Sequence, residues 1–362
     1  MHTRFQRPRA SSAARHASTP EQRANRLRNA LWGTFIADAL SMPVHWYYDR
    51  GALQRDYGVV SDYMAPRNPH PDSILWRIQY DPPKPECDIL HDQRQYWGRR
   101  DIHYHQFLVP GENTLNLKLA EELLASVHEL GRYDGDDYLA RYLAFHRKPG
   151  RHNDTYVEEC HRHFFDNLAL GVPPKKAGTP DSHIGGLVAV PILAVLHHKD
   201  RPKARATIRE HVGLTHPAPD TLAAADALAC LLFALFEGTP MADAAETVAH
   251  AAPEARLVPS RLLEWIAEPD DEVVGGRLSN ACYIEEALPA ALYLALKYSS
   301  DFEAGLVANA QVGGDNCHRG AVLGSLLGAA SDGDPVPPRW RAGLEARNRL
   351  EPLIESLVRA VL

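Results

Sequence analysis

Apolar residues along this chain recur at steps of three and four far more often than they alternate, so the pattern predicts helices almost throughout. In RNALWGTFIADALSMP (28–43) Leu31, Phe35, Ala39 and Met42 share one face, and Pro43 ends the run. In ENTLNLKLAEELLASVHELGR (112–132) Leu115, Leu119, Leu123, Val127 and Leu130 form a stripe, with Gly131 placed as a C-terminal stop. DDYLARYLAFHR, DTYVEECHRHFFDNLALG, PDTLAAADALACLLFALFEG, MADAAETVAHAA, SRLLEWIAE and IEEALPAALYLALKY extend the series. GGLVAVPILAVLHH (185–198) is nearly all apolar and reads as a central helix kinked or broken at Pro191, with a buried strand as its rival. Residues 61–110 have no sustained period. They are dense in Pro, Asp, His and aromatics, which points to an ordered lid or wall over a cleft. The last helix expected is GAVLGSLLGAA (320–330), where Gly320, Gly324 and Gly328 make a stripe of small residues. Each glycine costs an isolated helix ~1 kcal/mol, so this face must receive another backbone closely. The expectation is an all-α fold: a tail over 1–24, disordered or a targeting segment, then one helical domain over 25–362 carrying the 61–110 insertion.

At 362 residues the chain can bury a large core without help from disulfides or structural metals. A net charge of −7 argues against nucleic acid or an anionic membrane as the main partner, leaving a small-molecule substrate. Five scattered cysteines without a CxxC spacing suit reduced thiols and a cytoplasmic setting. Arg4, Arg7, Arg9 and Arg15 with no acid before Glu21 would also suit an organelle transit peptide. No apolar run free of charge or proline approaches a membrane span, and a monomer is the default.

The chemistry concentrates in GGDNCHRGA (313–321), where a carboxylate, a thiol and an imidazole fall within four residues. With three other blocks it resembles the ADP-ribosylglycohydrolase family. ADALSMPVH (37–45) stands where that family has Gly-Asp-Ala-Leu-Gly-x-Pro-x-Glu, and GENTLNLKLAEELL (111–124) where it has Thr-Asp-Asp-Thr opening a helix. GGLVAVPILAVL with GLTHPAPDTLAAADAL is similar to its apolar helix and Thr-His segment, and GGDNCHRGAVLGSLLGA to its Gly-Gly-Asp-Thr-Asp-Thr helix start. The resemblance covers about residues 26–333 and implies a glycosidic-bond hydrolase with two Mg²⁺ ions held between two helix starts.

Residue by residue the chain departs from that pattern. Thr-Asp-Asp falls on Gly111, Glu112 and Asn113; the second Asp and the Thr of the last block fall on Cys317 and His318; the first block's Glu falls on His45. Only Glu112 and Asp315 remain anionic, a poor match for two hard dications, so the resemblance implies dinuclear Mg²⁺ whose ligands are largely replaced. Three readings stay open. One borderline ion such as Zn²⁺ could use part of the set, with Glu112, Asp315 and His318 as the ligands to expect. Without a metal, Cys317 could be a nucleophile with His45 as base, or Asp315 an acid/base, against the plainer alternative of a thiol that only packs. Gly313-Gly314 could present amides to an anion. The residues expected to carry chemistry are Glu112, Asp315, Cys317, His318 and His45; those expected to touch substrate are Asp38, Asn113, Asn316, Gly313, Gly314 and His105. The expected function is hydrolysis of a glycosidic or related bond in a small ADP-ribose-like, nucleotide-like or sugar-like molecule. The alternative is a repurposed non-hydrolytic enzyme or a ligand-binding pseudoenzyme on the same fold.

Overall fold

The computed structural model describes residues 18–362, so most of the expected tail lies outside the described residues. Helix α1 (Pro20–Ser41) starts inside the span assigned to the tail, because Thr19 and Gln22 form a reciprocal capping box with Pro20 at the first turn. Helices α2 (Arg50–Tyr57), α3 (Leu115–Leu130), α4 (Gly135–Arg147), α5 (Glu159–Ala169) and α6 (Val190–Leu196) follow. Next come α7 (Arg201–Gly213), α8 (Pro219–Phe236), α9 (Met241–Ala251), α10 (Pro259–Glu264) and α11 (Asp270–Val273). The series closes with α12 (Ile284–Lys297), α13 (Phe302–Gln311), α14 (Asn316–Ala329), α15 (Pro338–Gly343) and α16 (Arg347–Val361). Among the described residues there is no strand, only isolated bridges such as Tyr47 with Gly314.

The centre is the α1–α14 pair, with α8, α12 and α13 packed around α14. Every residue of α14 is buried. The glycine stripe does what its spacing demands: a Cβ on Gly324 would overlap the Gly33 carbonyl oxygen, and one on Gly328 the Asn29 carbonyl oxygen. Backbone therefore lies against backbone along this seam.

Several elements differ from expectation. The 185–198 segment is a 3-10 turn (Ile184–Leu187) followed by α6, with Pro191 in the first turn of the helix. Proline lacks an N–H the helix would not have used there, so it starts a helix and does not kink one, and the strand is excluded. GAVLGSLLGAA is not the last helix. Beyond it α16 buries Leu350, Ile354, Leu357 and Val358, a stripe present in the sequence but passed over. Helix α8 is long and apolar enough, at a mean hydropathy of 1.6, to cross a membrane, contrary to expectation, but 67% of it is buried inside the protein, as befits a core helix. The 61–110 segment forms short 3-10 turns at Leu75–Arg77, Pro85–Cys87 and His91–Tyr96 and carries His70, His103 and His105 into the interior.

Candidate functional site

Two chain breaks build the site. After α1 a 3-10 turn (Met42–Val44) delivers His45 inward, and before α14 the Gly313-Gly314 pair reverses the chain and leaves Asp315 as the cap of that helix. Both glycines have positive φ, 64° and 69°, and Cβ atoms there would run into the carbonyl oxygens of Tyr47 and Asn280. The Trp46 N–H donates to the Gly314 carbonyl (2.8 Å) and the Gly314 N–H to Tyr47 (2.6 Å), which locks the two breaks together. Trp46 itself sits at φ 61°, a left-handed conformation costly for an aromatic residue and held by that bond. Arg319, fully buried, spans the loop by donating to Asn309, Asn280 and the Gly313 carbonyl.

His45, Asp315 and His318 meet with no solvent access to speak of. His45 Nε2 is 3.0 Å from Asp315 Oδ1, and His318 Nδ1 is 3.0 Å from the same oxygen. From His45 a hydrogen-bonded series leads away: Nδ1 to His105 Nε2 (2.7 Å), His105 Nδ1 to Asp154 Oδ1 (2.8 Å), and Asp154 to Lys118 Nζ (3.4 Å). A second series runs from His318 Nε2 to Asn116 (3.1 Å), His161 (2.9 Å) and Tyr142 (2.7 Å). Glu158 caps this side, accepting from Asn116 Nδ2 (2.6 Å) and placing Oε1 3.8 Å from His318 Nδ1. A narrow pocket opens between the series, walled by Trp46, Tyr156, His105, Asn116, Glu158 and His318, with room for about one water-sized group.

Electrostatics separate these groups. Burial drives His45 down to about 3 despite Asp315 beside it. Burial also opposes the charge on His318, yet Asp315 and Glu158 outweigh it and hold the ring up at about 10. Asp315 lies well below the usual carboxylate range because His318 and His45 overcome its burial, whereas burial raises Glu158.

Among the expected residues, His45, Asp315, His318 and His105 converge. The others do not. Cys317 points the opposite way from His318 into an apolar cluster with Met42 and Leu108, its thiol donating to the Asp38 carbonyl (3.5 Å) and pushed well up by burial. A thiol so placed packs against apolar side chains. Glu112 is ion-paired to Lys118 (2.8 Å) on the wall of a different, outward pocket lined also by Arg151 and Arg349, so it is neither a partner of Asp315 nor a shared ligand. Asp38 accepts from Asn113 Nδ2 (2.8 Å), Thr114 N (2.9 Å) and Thr114 Oγ1 (2.6 Å), which makes Asp38 and Asn113 a strut between α1 and α3. Asn316 donates to the Val44 and Ala310 carbonyls. The amides of Gly313, Gly314, Asp315 and Asn316 all serve protein carbonyls, leaving no cradle for an anion. In the Thr-His segment Thr215 Oγ1 bonds His216 Nδ1 at 2.8 Å, and α8 is preceded by Ala218.

The inherited two-ion centre does not fit these residues. Of the positions that would supply its ligands, Asp315 alone is an anion beside His45 and His318, and the opposite helix start offers a neutral Asn113 already bound to Asp38. Sequence reasoning missed Asn116, Asp154, Glu158 and His161. Asn116 had a signal, a polar residue one position past the Leu115 stripe and facing inward; Asp154 and Glu158 fall in DTYVEECHRHFFDNLALG, read above as helix, whereas α5 begins only at Glu159, so both stand in the irregular lead-in to it.

A sequence profile of the family described as ADP-ribosylglycohydrolase matches residues 19–361. Comparison with curated proteins yields no match. A solved structure described as an ADP-ribosylglycohydrolase-related protein complex superposes with a TM-score of 0.64 at 23% identity, covering 94% of this chain and 100% of its own, a likeness of fold.

Proposed function

This chain belongs to the ADP-ribosylglycohydrolase family, and from that premise we propose that it hydrolyses a glycosidic or related bond of a small ADP-ribose-like, nucleotide-like or sugar-like molecule at a pocket rebuilt around Asp315. The observation that carries this reading is the placement of two carboxylates about one imidazole: Asp315 Oδ1 at 3.0 Å and Glu158 Oε1 at 3.8 Å from His318 Nδ1, with Glu158 and His318 lining the narrow pocket. Glycosidic cleavage needs one carboxyl group to meet the positive character developing on the sugar and another to handle the proton of the leaving oxygen. Asp315, the remnant of the family's acidic motif, takes the first role. Glu158, anchored by Asn116 through one oxygen and free at the other, takes the second. His318 lies between the two, and Trp46 and Tyr156, packed edge to face on each other, form the apolar part of the wall.

The test is release of free ADP-ribose or sugar from a panel of ADP-ribosylated and nucleoside-diphosphate-sugar substrates, followed by chromatography. Turnover should appear in the intact protein and fall at least ~100-fold in Asp315→Asn, with Glu158→Gln lowering kcat more than KM. Tight binding of a panel member without turnover would favour the ligand-binding alternative.

A further inference from the structure

The hydrogen-bond directions through His105 leave a conflict at Asp315. Asp154 is fully buried and, as a carboxylate tied to Lys118, can only accept, so the proton between it and His105 sits on His105 Nδ1. A neutral His105 then has a bare Nε2, which accepts from His45 Nδ1–H at 2.7 Å. With its proton committed there, neutral His45 turns a bare Nε2 toward Asp315 Oδ1 at 3.0 Å. With His105 neutral, two acceptors would face each other at hydrogen-bond distance where water cannot relieve them, an arrangement that a cation between them resolves.

His318 Nδ1 converges on the same oxygen at 3.0 Å. The three donor atoms, from two separate chain breaks, all lie within 4.8 Å of one another, and the two imidazole rings are 5.2 Å apart and nearly perpendicular at 89°. Ligand atoms bound at about 2.0–2.1 Å to one tetrahedral or octahedral ion stand roughly 3.0–3.4 Å from each other, the spacing seen on both sides of Asp315. Two imidazole nitrogens and one carboxylate oxygen suit a borderline first-row ion and not Mg²⁺.

We propose that His45 Nε2, Asp315 and His318 Nδ1 bind one zinc-type transition-metal ion in place of the family's two magnesium ions, its open position facing the pocket beside Glu158. The inference rests on the hydrolase reading only for what the ion is used for. The surrounding groups fit the assignment. The His45–His105–Asp154 series is a carboxylate-backed histidine ligand lengthened by one ring, which fixes the tautomer and orientation of His45. On the other side the Asn116 amide lies 3.1 Å from His318 Nε2 and holds that ring from its far edge.

The test uses the full chain stripped with chelator and titrated with Zn²⁺ by calorimetry and with Co²⁺ by visible absorption. One equivalent should bind per chain. His45→Gln and His318→Gln, confirmed folded by circular dichroism, should each weaken Zn²⁺ binding ~100-fold or more, while Cys160→Ser, which alters the neighbouring Cys160–Asp181–His216 and Glu158–Cys160–His161 groups but none of the three ligands, should not. The proposal is overturned if the wild-type chain binds neither ion at micromolar concentration, if binding survives both histidine changes, or if Cys160→Ser removes it. Two equivalents of Mg²⁺ would overturn it as well. Full turnover by the stripped protein would remove the ion and leave the hydrolase reading standing; one bound ion with no turnover of any panel substrate would support the ion site and sink that reading.

Discussion

Cys317 and His318 are adjacent, yet α14 sends them to opposite environments, because neighbours on a helix diverge by about 100°. His318 enters the pocket; Cys317 enters the core with Met42 and Leu108. Thiol titration of the native protein should therefore leave Cys317 unreacted until denaturant is added, and Cys317→Ser should keep its activity at a stability loss of about 1 kcal/mol. Loss of activity in a folded Cys317→Ser protein would restore the nucleophile. The residue composition of GGDNCHRGA advertised a site, and His45, Asp315 and His318 were readable as parts of it. Which of its side chains face the pocket was not, since that depends on where α1 crosses α14. Asp154 and Glu158 were hidden for a related reason: they stand in the irregular run before α5, which the sequence pattern extends as helix, and only the folded chain defines their position.

At the level of elements, the seam between α1 and α14 was legible as a stripe of glycines, and its partner was not. Gly324→Ala would drive a methyl group into the Gly33 carbonyl, and because both atoms belong to backbone neither can step aside. A loss of about 3 kcal/mol or more is expected in urea unfolding. Gly213→Ala, at the end of α7 with nothing within 4 Å of the added carbon, should be neutral or stabilising by up to ~1 kcal/mol. Equal effects from the two would mean that glycine acts here through helix propensity alone. Helices with a plain apolar stripe, such as α3 with its left-handed Gly131 at φ 66°, were readable to within a residue or two. Shorter or more charged ones were not: α7 and α13 hide their buried residues among polar ones, and α6 is cut short by a proline whose role depends on the turn before it.

For the whole molecule, the buried histidines set the response to acid. Burial lowers His146 and His211 to about 3 and His216 to about 4, against an ordinary value of 6.5. Between those limits the unfolded chain binds protons that the folded chain refuses. Stability from these rings is thus fully present above about pH 6.5 and falls as pH drops toward 4, by up to ~1.4 kcal/mol per pH unit for each ring. Urea midpoints measured from pH 7 to 4.5 should decline, and His211→Phe should flatten the slope by about one proton; an unchanged slope would show that His211 is protonated in the fold.

The glycine seam has one more consequence, for the order in which the molecule is made. It joins the first helix of the described chain to the fourteenth, and the chemistry sits where those two meet. A ribosome that has released α1 must finish nearly the entire polypeptide before Asp315 can find His45. Such a high contact order slows folding and leaves no early fragment with a partly working pocket. Refolding followed by burial of Trp32 and Trp46 should precede the recovery of activity only briefly, because the contact that completes the core is also the one that completes the site.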